Sequence, residues 1–551
     1  MVFTQCSRKS PFINAMASAV AIASFASDVL PAQASVSETK AEIRELRDQL
    51  RRLERRLETQ EHKNGSEAKG SRRGKGTDKE EATAYVGKFV YKGIEITPGG
   101  YFAGNTVFRN HWMGSDTATN WGNTPYLNNP AAHTEEFRFT ARQSQLSLRV
   151  DGNVDPSTHL RGYVEVDFLG AAQTANNNQT NSYNPRIRHL YSTVDLNDLG
   201  LHFVTGQTWS LNTLNSKGIR PDAMATPPVM DGNLMVAFVY KRNPQFRIVK
   251  EIGKEFHVAF SVEGSSTVVA APGPAGLPGA TTNLPTPFGF TGAPIVSSTP
   301  LGGGLFNSTN PYTFNRMPDY QGKIAWDTDI GGHEVHLEAF GLLHDITERA
   351  YWGNHSVWGG GVGGGAVVSV IPKILEIQAS VMNGTGVSQY APALLPEAAY
   401  SLSGGLLPIH ERVINIGGIL HVTPTTELFA FAGGEFTSSR YQTGVVGTTV
   451  VLAGYGNPGY NNIACNVEAA SAYIGGLSST NPGAVTACSG QVKAVRQLFG
   501  GVWHTFYQGD YGKLRAGVQY AYTVKDAFSG VGPTPKATEN TIYTSIRYYP
   551  F

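Results

Sequence analysis

The sequence predicts an all-β transmembrane fold, a closed antiparallel barrel of sixteen strands preceded by a short N-terminal α-helical coiled coil. Three observations carry this. The first is composition: 63 glycines, 7 Trp, 24 Tyr and 26 Phe stand beside only 16% charged residues, a mixture suited to many turned strands. No stretch beyond the N-terminus offers about 18 uninterrupted apolar residues, so a helical span is excluded and any crossing must use strands. The second is a period of two in side-chain polarity from Gly99 onward. The third is a regular alternation of short and long connections between the alternating segments.

Four regions follow in order. Residues 1–34 read as a cleaved secretory signal: Arg8 and Lys9, an apolar stretch from Phe12 to Phe25, then Ala32-Gln33-Ala34. Residues 35–60 repeat apolar side chains at spacings of three and four, with Ile43, Leu46, Leu50, Leu53 and Leu57 as an a/d seam and Ser35 to Glu38 as a capping box. The remaining positions of this helix are crowded with Arg, Glu and Asp, so the seam needs a partner; self-association or contact with a membrane or cell-wall surface would supply one. Residues 61–84 are polar and charged, a solvated linker. Residues 85–551 form the barrel.

Within the barrel, Leu160, Val164, Val166 and Phe168 alternate with Arg161, Tyr163, Glu165 and Asp167. Leu514, Ala516, Val518, Tyr520, Tyr522 and Val524 alternate in the same way with Arg515, Gly517, Gln519, Ala521 and Thr523. One face suits lipid and the other water. The same reading places strands at 99–109, 137–150, 160–168, 186–195, 201–209, 234–252, 255–263, 320–328, 333–344, 363–371, 374–382, 409–421, 427–437, 494–505, 514–525 and 539–551. Long connections are expected at 110–136, 169–185, 210–233, 264–319, 345–362, 383–408, 438–493 and 526–538, with short turns between. Even strand number and one-sided long loops are what bacterial outer-membrane barrels share, and closure spares the edges in hydrocarbon. Removing the signal leaves Cys465 and Cys488, an even pair in an oxidising compartment, read as a disulfide that staples the 438–493 loop.

The barrel region carries 29 basic and 31 acidic residues, so no basic stripe for nucleic acid is present. Catalytic and metal readings fare poorly. His355 and Ser356 are adjacent, so on a strand they point to opposite faces and cannot form a nucleophile–base pair. Glu334, His336 and Glu338 share a face, with His344 further along, and read as a polar wall without a fourth convergent ligand. Gly359 to Gly365 is not followed by a helix pattern; it reads as a place where the chain packs closely on a neighbour. No cofactor or metal is implied.

Several segments resemble the DcaP-like outer-membrane porin family and, more distantly, the phosphate-selective porins: Phe139 to Leu148, Leu160 to Phe168, Pro185 to Leu190 and Gly206 to Ser210. The resemblance is best over residues 35–210 and the last strand. It implies a porin-like homotrimer in the outer membrane, with the coiled coil in the periplasm, admitting small anionic solutes of the dicarboxylate class without catalysis. It also makes the terminal Phe551 the signal read by the barrel-assembly machinery. Arg547 and Ser545, however, share a face with Tyr543, Tyr549 and Phe551, which disturbs a lipid-facing alternation there.

Anion preference in a near-neutral barrel requires basic side chains gathered at a constriction. The candidates on strands are Arg138, Arg142, Arg161, Arg186, Arg188, Lys323 and Arg515; Lys217 and Arg220 lie in the connection between strands five and six, 211–233, which in such porins commonly folds inward. Each strand candidate also has a plainer reading as the cross-strand partner of a wall carboxylate such as Glu165, Asp167 or Asp327. Two other functions fit the same barrel: a structural envelope anchor acting through the coiled coil, or a surface adhesin or receptor built on the long loops.

Overall fold

The computed structural model describes residues 88–170, 184–267, 301–302, 311–312, 315–350, 353–402, 405–446, 449–468, 488 and 490–551. The signal, the coiled-coil seam and the linker lie outside the described residues.

Sixteen strands close into one antiparallel barrel. They are β1 (Ile94–Arg109), β2 (Glu136–Thr140 and Gln145–Asn153), β3 (Thr158–Asp167), β4 (Arg186–Leu196), β5 (Leu201–Trp209), β6 (Arg242–Ile252), β7 (Phe256–Glu263) and β8 (Asp319–Ile330), followed by β9 (His333–Ala350), β10 (Gly353–Ile371), β11 (Leu375–Thr385), β12 (His410–Thr423), β13 (Thr426–Thr437), β14 (Val492–Gly509), β15 (Gly512–Ala527) and β16 (Lys536–Tyr549). Closure is made by β1: its second half pairs Phe102↔Tyr548 through Arg109↔Thr541 with β16, while its other edge pairs with both pieces of β2. Among the described residues no barrel edge is left for another chain to extend, as a hydrocarbon environment requires. A three-residue strand, Phe89–Tyr91, folds back on β1 through Lys92 and Gly93, both at positive φ (50° and 81°), the conformation of a two-residue hairpin turn.

The polarity alternation is realised as predicted. Phe139, Phe246, Ile324 and Leu498 project from the outer wall, while Gln519, Thr523 and Ser545 are buried inside. On β16, Ile546 and Tyr548 face outward and Tyr543 is sealed inside, so Ser545 and Arg547 lie on the lumen face. The disturbed alternation at the C-terminus is therefore an inward-facing row, not a fault in the lipid-facing one.

At one end the strands are joined by turns of two to four residues; the long connections lie at the other end. Two regions differ most from expectation. β9 and β10 continue as a tall hairpin, paired from Val335↔Val368 to Ala350↔Gly353, so residues 345–350 and 353–362 are strand and not loop. The glycines within it serve close packing: a side chain on Gly363 would collide with the Phe340 ring and the Val381 carbonyl oxygen. The apolar segment Leu234–Tyr240, in contrast, is not strand; Leu234 and Ala237 sit at φ 68° and 69°, and β6 begins only at Arg242.

The Cys465–Cys488 disulfide forms, with 4.6 Å between Cα atoms and a separation of 23 residues. Cys465 is buried, and Cys488 packs against Tyr126, Ala527 and Ala537, so the bridge ties the β13–β14 connection to its two neighbours. A loop of that length removes about 3 kcal/mol of unfolded-state entropy. Reduction is accordingly expected to speed proteolytic cleavage within 466–487; equal cleavage rates with and without reductant would refute the stapling role.

Candidate functional site: a buttressed loop inside the lumen

The connection from β5 to β6, residues 210–241, runs inside the barrel. It has little secondary structure of its own, so its backbone N–H groups need partners from elsewhere. The wall supplies them. Glu263 accepts from Leu211 N (2.9 Å), Gln321 from Asn212 N (3.1 Å), Glu338 from Asn215 N (3.0 Å) and Asp327 from Gly218 N (2.8 Å). Further on, Gln519 accepts from Met230 N (2.7 Å), Gln497 from Val236 N (3.1 Å) and Glu435 from Ala237 N (2.8 Å). These acceptors stand on β7, β8, β9, β13, β14 and β15, so the loop is fixed around much of the inner circumference.

Apolar packing completes the attachment. Val229, Met230, Met235 and Phe238 form one cluster with Val107, Phe429, Phe431, Phe499, Trp503 and Tyr543; Val236, Ala237 and Val239 enter a second with Trp121 of the first long connection and Tyr390 of the β11–β12 connection. Wall glycines make room for it. A Cβ on Gly365 would lie 2.6 Å from Leu214 Cδ1, one on Gly433 would overlap the Val236 carbonyl oxygen, and one on Gly517 would overlap Met230 Cε. The loop tip, near residues 216–223, is closed on itself by Asn215, whose side-chain amide donates to the carbonyls of Arg220 (2.9 Å) and Ala223 (3.1 Å).

The basic residues singled out in the sequence fall into distinct settings. Lys323 is fully buried beneath the loop: its ammonium pairs with Glu338 at 2.7 Å and donates to Thr213 O and Asn215 Oδ1, both at 2.8 Å, so it fastens the loop to the wall. Arg142, at the break in β2, pairs with Asp116 (2.9 Å) and donates to the carbonyls of Phe168 and Gly170, which holds two long connections together. Arg138 pairs with Glu136 at 3.2 Å. Arg161 bridges Asp151 (2.8 Å) and Asp222 of the loop tip (2.5 Å), while Arg220 reaches Asp195 at 3.5 Å. Lys217 is exposed on the tip. Arg186 grips Asp167 with two bonds (3.0 and 2.7 Å), and Arg188 binds Glu165 (2.5 Å) and Asp167 (3.2 Å). Arg515 pairs with Glu427 at 2.7 Å. The proposed polar wall is present as well: His336 joins Asp327 (2.7 Å) to Glu338 (3.1 Å), and His344 bonds Asp319 at 2.7 Å.

Two partly accessible lumen arginines with no carboxylate partner were not among those candidates. Arg547 of β16 lies between aromatic faces, 4.7 Å from the centroids of both Tyr101 and Trp503, and Arg515 covers Trp503 at 4.5 Å. Arg242, the first residue of β6, lies 5.2 Å over the Trp209 ring, which itself packs on His189 and Tyr240. Arg242 was hidden because the 234–252 strand misplaced the start of β6 by eight residues. Arg547 was visible on the inward face, but that face was taken to meet lipid.

No family model matches the chain. No curated protein matches it by sequence. Solved structures do match in fold. The crystal structure of the outer membrane channel DcaP of Acinetobacter baumannii aligns over 84% of this chain and 99% of its own, with a TM-score of 0.52 at 16% identity. This barrel shares the DcaP fold. The anion-selective porin from Comamonas acidovorans aligns over 83% of this chain and 99% of its own (TM-score 0.42, 11% identity), and outer-membrane expressed OmpT of Vibrio cholerae over 84% and 100% (TM-score 0.41, 10% identity).

Proposed function

We propose that the chain is an outer-membrane porin, trimeric, through which small hydrophilic and preferably anionic solutes of the dicarboxylate class diffuse passively. The supporting observation is a barrel with an apolar outside and a polar inside whose lumen is narrowed by a fixed internal loop; along the remaining wall Arg186, Arg188 and Arg515 are matched by carboxylates and Arg547 is not. A narrowed lumen matters because exposed charges in bulk water interact by only about 1 kcal/mol at 4 Å, whereas several placed around a constriction act together. In this reading the long loops face outward, the short turns and the coiled coil face the periplasm, and the signal and Phe551 serve export and barrel assembly.

The test is reconstitution in planar bilayers under a KCl gradient, joined to liposome swelling with succinate, phosphate, sugars and amino acids. Discrete channels with a reversal potential of anionic sign, and faster swelling with succinate than with neutral sugars, are expected. Absence of channels would remove the porin reading; a cationic reversal potential would remove the anion preference alone.

A further inference from the structure

Lumen arginines are not equivalent, because most are already neutralised in the wall. Arg186 and Arg188 share the carboxylates of Asp167 and Glu165, and Arg515 is matched by Glu427. A solute a few Å away meets each of these as a dipole whose field falls off faster than that of a lone charge. Among the described residues, three inward-facing guanidiniums have no carboxylate at ion-pair distance: Arg242, Arg247 and Arg547. Arg247 is only 1% exposed and donates to Trp209 O and Gln245 Oε1, so no solute reaches it.

Arg242 and Arg547 are different in kind. Both remain partly accessible inside the barrel. Their counter-charge is replaced by ring faces: Tyr101 and Trp503 around Arg547, Trp209 beneath Arg242. Stacking on a ring holds the guanidinium plane in place and leaves its N–H edge available to a planar anion. Arg547 donates to Ser545 Oγ at 3.2 Å and also bonds the Tyr549 side chain, and Arg242 has an Nη1 shut away from solvent without an acceptor in the protein. With no carboxylate beside it, the accessible edge of each guanidinium is open to a carboxylate or phosphate oxygen of a solute.

We infer that Arg242 and Arg547 form the anion-holding pair of the lumen, two ring-supported guanidiniums on either flank of the neutralised Arg186–Arg188 cluster, each taking one oxyanion group of a passing solute. This rests on the reading of the protein as an anion-preferring porin and assigns that preference to two residues. The experiment measures reversal potentials in KCl for the full-length protein and for R242Q, R547Q, R242K, R547K and the charge-neutral double variant R188Q with E165Q. Each glutamine variant is expected to lower the anion-to-cation permeability ratio on the order of threefold, as loss of one uncompensated charge from a confined field implies. The neutral double variant should retain the ratio, and the lysine variants, which keep the charge but lose the stacked planar fork, should fall between wild type and the glutamine variants. If R547Q does not assemble, R547K and both Arg242 variants still decide the matter. Wild-type protein without anion preference would overturn the function and this assignment together. Wild-type preference that survives R242Q, or that is lost as strongly in the neutral double variant, would overturn the assignment alone.

Discussion

Replacing Glu338 by alanine is expected to leave the barrel assembled but to release the first part of the internal loop, raising single-channel conductance and exposing the Lys217 and Arg220 peptide bonds to trypsin. The side chains of Lys323 and Glu338 are 0% and 1% exposed, so the ion pair lies out of contact with water. Removing one partner of such a pair strands the other charge in a low-dielectric site, at a cost of about 3–5 kcal/mol. Glu338 also accepts from Asn215 N, and Lys323 donates to Thr213 O and Asn215 Oδ1, so the strain falls on residues 213–215 and not on the strand pairing. The ladder β8–β9 runs through both residues on backbone bonds and does not depend on the pair. Lys323 would escape by moving toward water, taking the loop with it. The double variant K323M with E338L removes both charges and should recover most of the trypsin resistance, since an apolar pair of similar size carries no uncompensated charge. Wild-type conductance and trypsin resistance in E338A would show that the loop is held by its apolar contacts alone.

Why the barrel was legible in the sequence, and the loop less so, follows from what each depends on. A strand between lipid and water records its two environments in alternate residues, so Val518, Tyr520 and Tyr522 against Gln519 and Thr523 already fix both strand and orientation. The same rule failed at Leu234–Tyr240. That segment is apolar because it packs on Phe429, Phe431, Phe499 and Trp503 within the lumen, and an apolar run against an internal aromatic surface looks in sequence like one against lipid. It failed in the opposite direction at residues 345–350 and 353–362, expected as a loop, whereas the close packing expected at Gly359 to Gly365 is found between β9, β10 and β11.

The site was legible by residue type, and the wall carboxylates Glu165 and Asp167 as its alternative partners, but not which of the two readings holds at each arginine. That Arg186 and Arg188 belong on the lumen face could be read from their spacing. That both are spent on Asp167 and Glu165 depends on the β3–β4 register, where pairing shifts between Glu165 and Val166 and leaves Arg188 as the extra residue. Lys323 illustrates the same limit: an inward lysine on a strand reads as pore lining, yet here the loop covers it. Charge placement in a barrel is settled by which inward residues remain uncovered, and that is a property of the loop's path.

That path is set by the wall glycines, which makes Gly433→Val the more informative substitution. Gly433 faces inward on β13 with an ordinary backbone conformation, so a valine there adds no φ strain and, on strand propensity alone, should favour β13. The space it would need is taken. A Cβ would overlap the Val236 carbonyl oxygen and stand 3.0 Å from Met235 Cε and 3.1 Å from Ala237 Cβ. Overpacking of this kind costs about 1–3 kcal/mol where the surroundings can shift. Here the strand cannot shift, because β13 is paired on both sides along its length. The loop must yield, and with it go the Ala237 N–H bond to Glu435 and the Val236 N–H bond to Gln497. Glu435 would then be a buried carboxylate left with only the Ala393 N–H, which couples the displacement to the β11–β12 connection. Gly433→Val is therefore expected to give a normally assembled barrel with larger, noisier channels and weakened anion preference, and Gly433→Ala a smaller version of the same change. Single-channel recording with the reversal potential measured on the same variants tests this. An unchanged conductance in an assembled Gly433→Val barrel would mean that the narrowest part of the lumen lies elsewhere than beside residues 235–237.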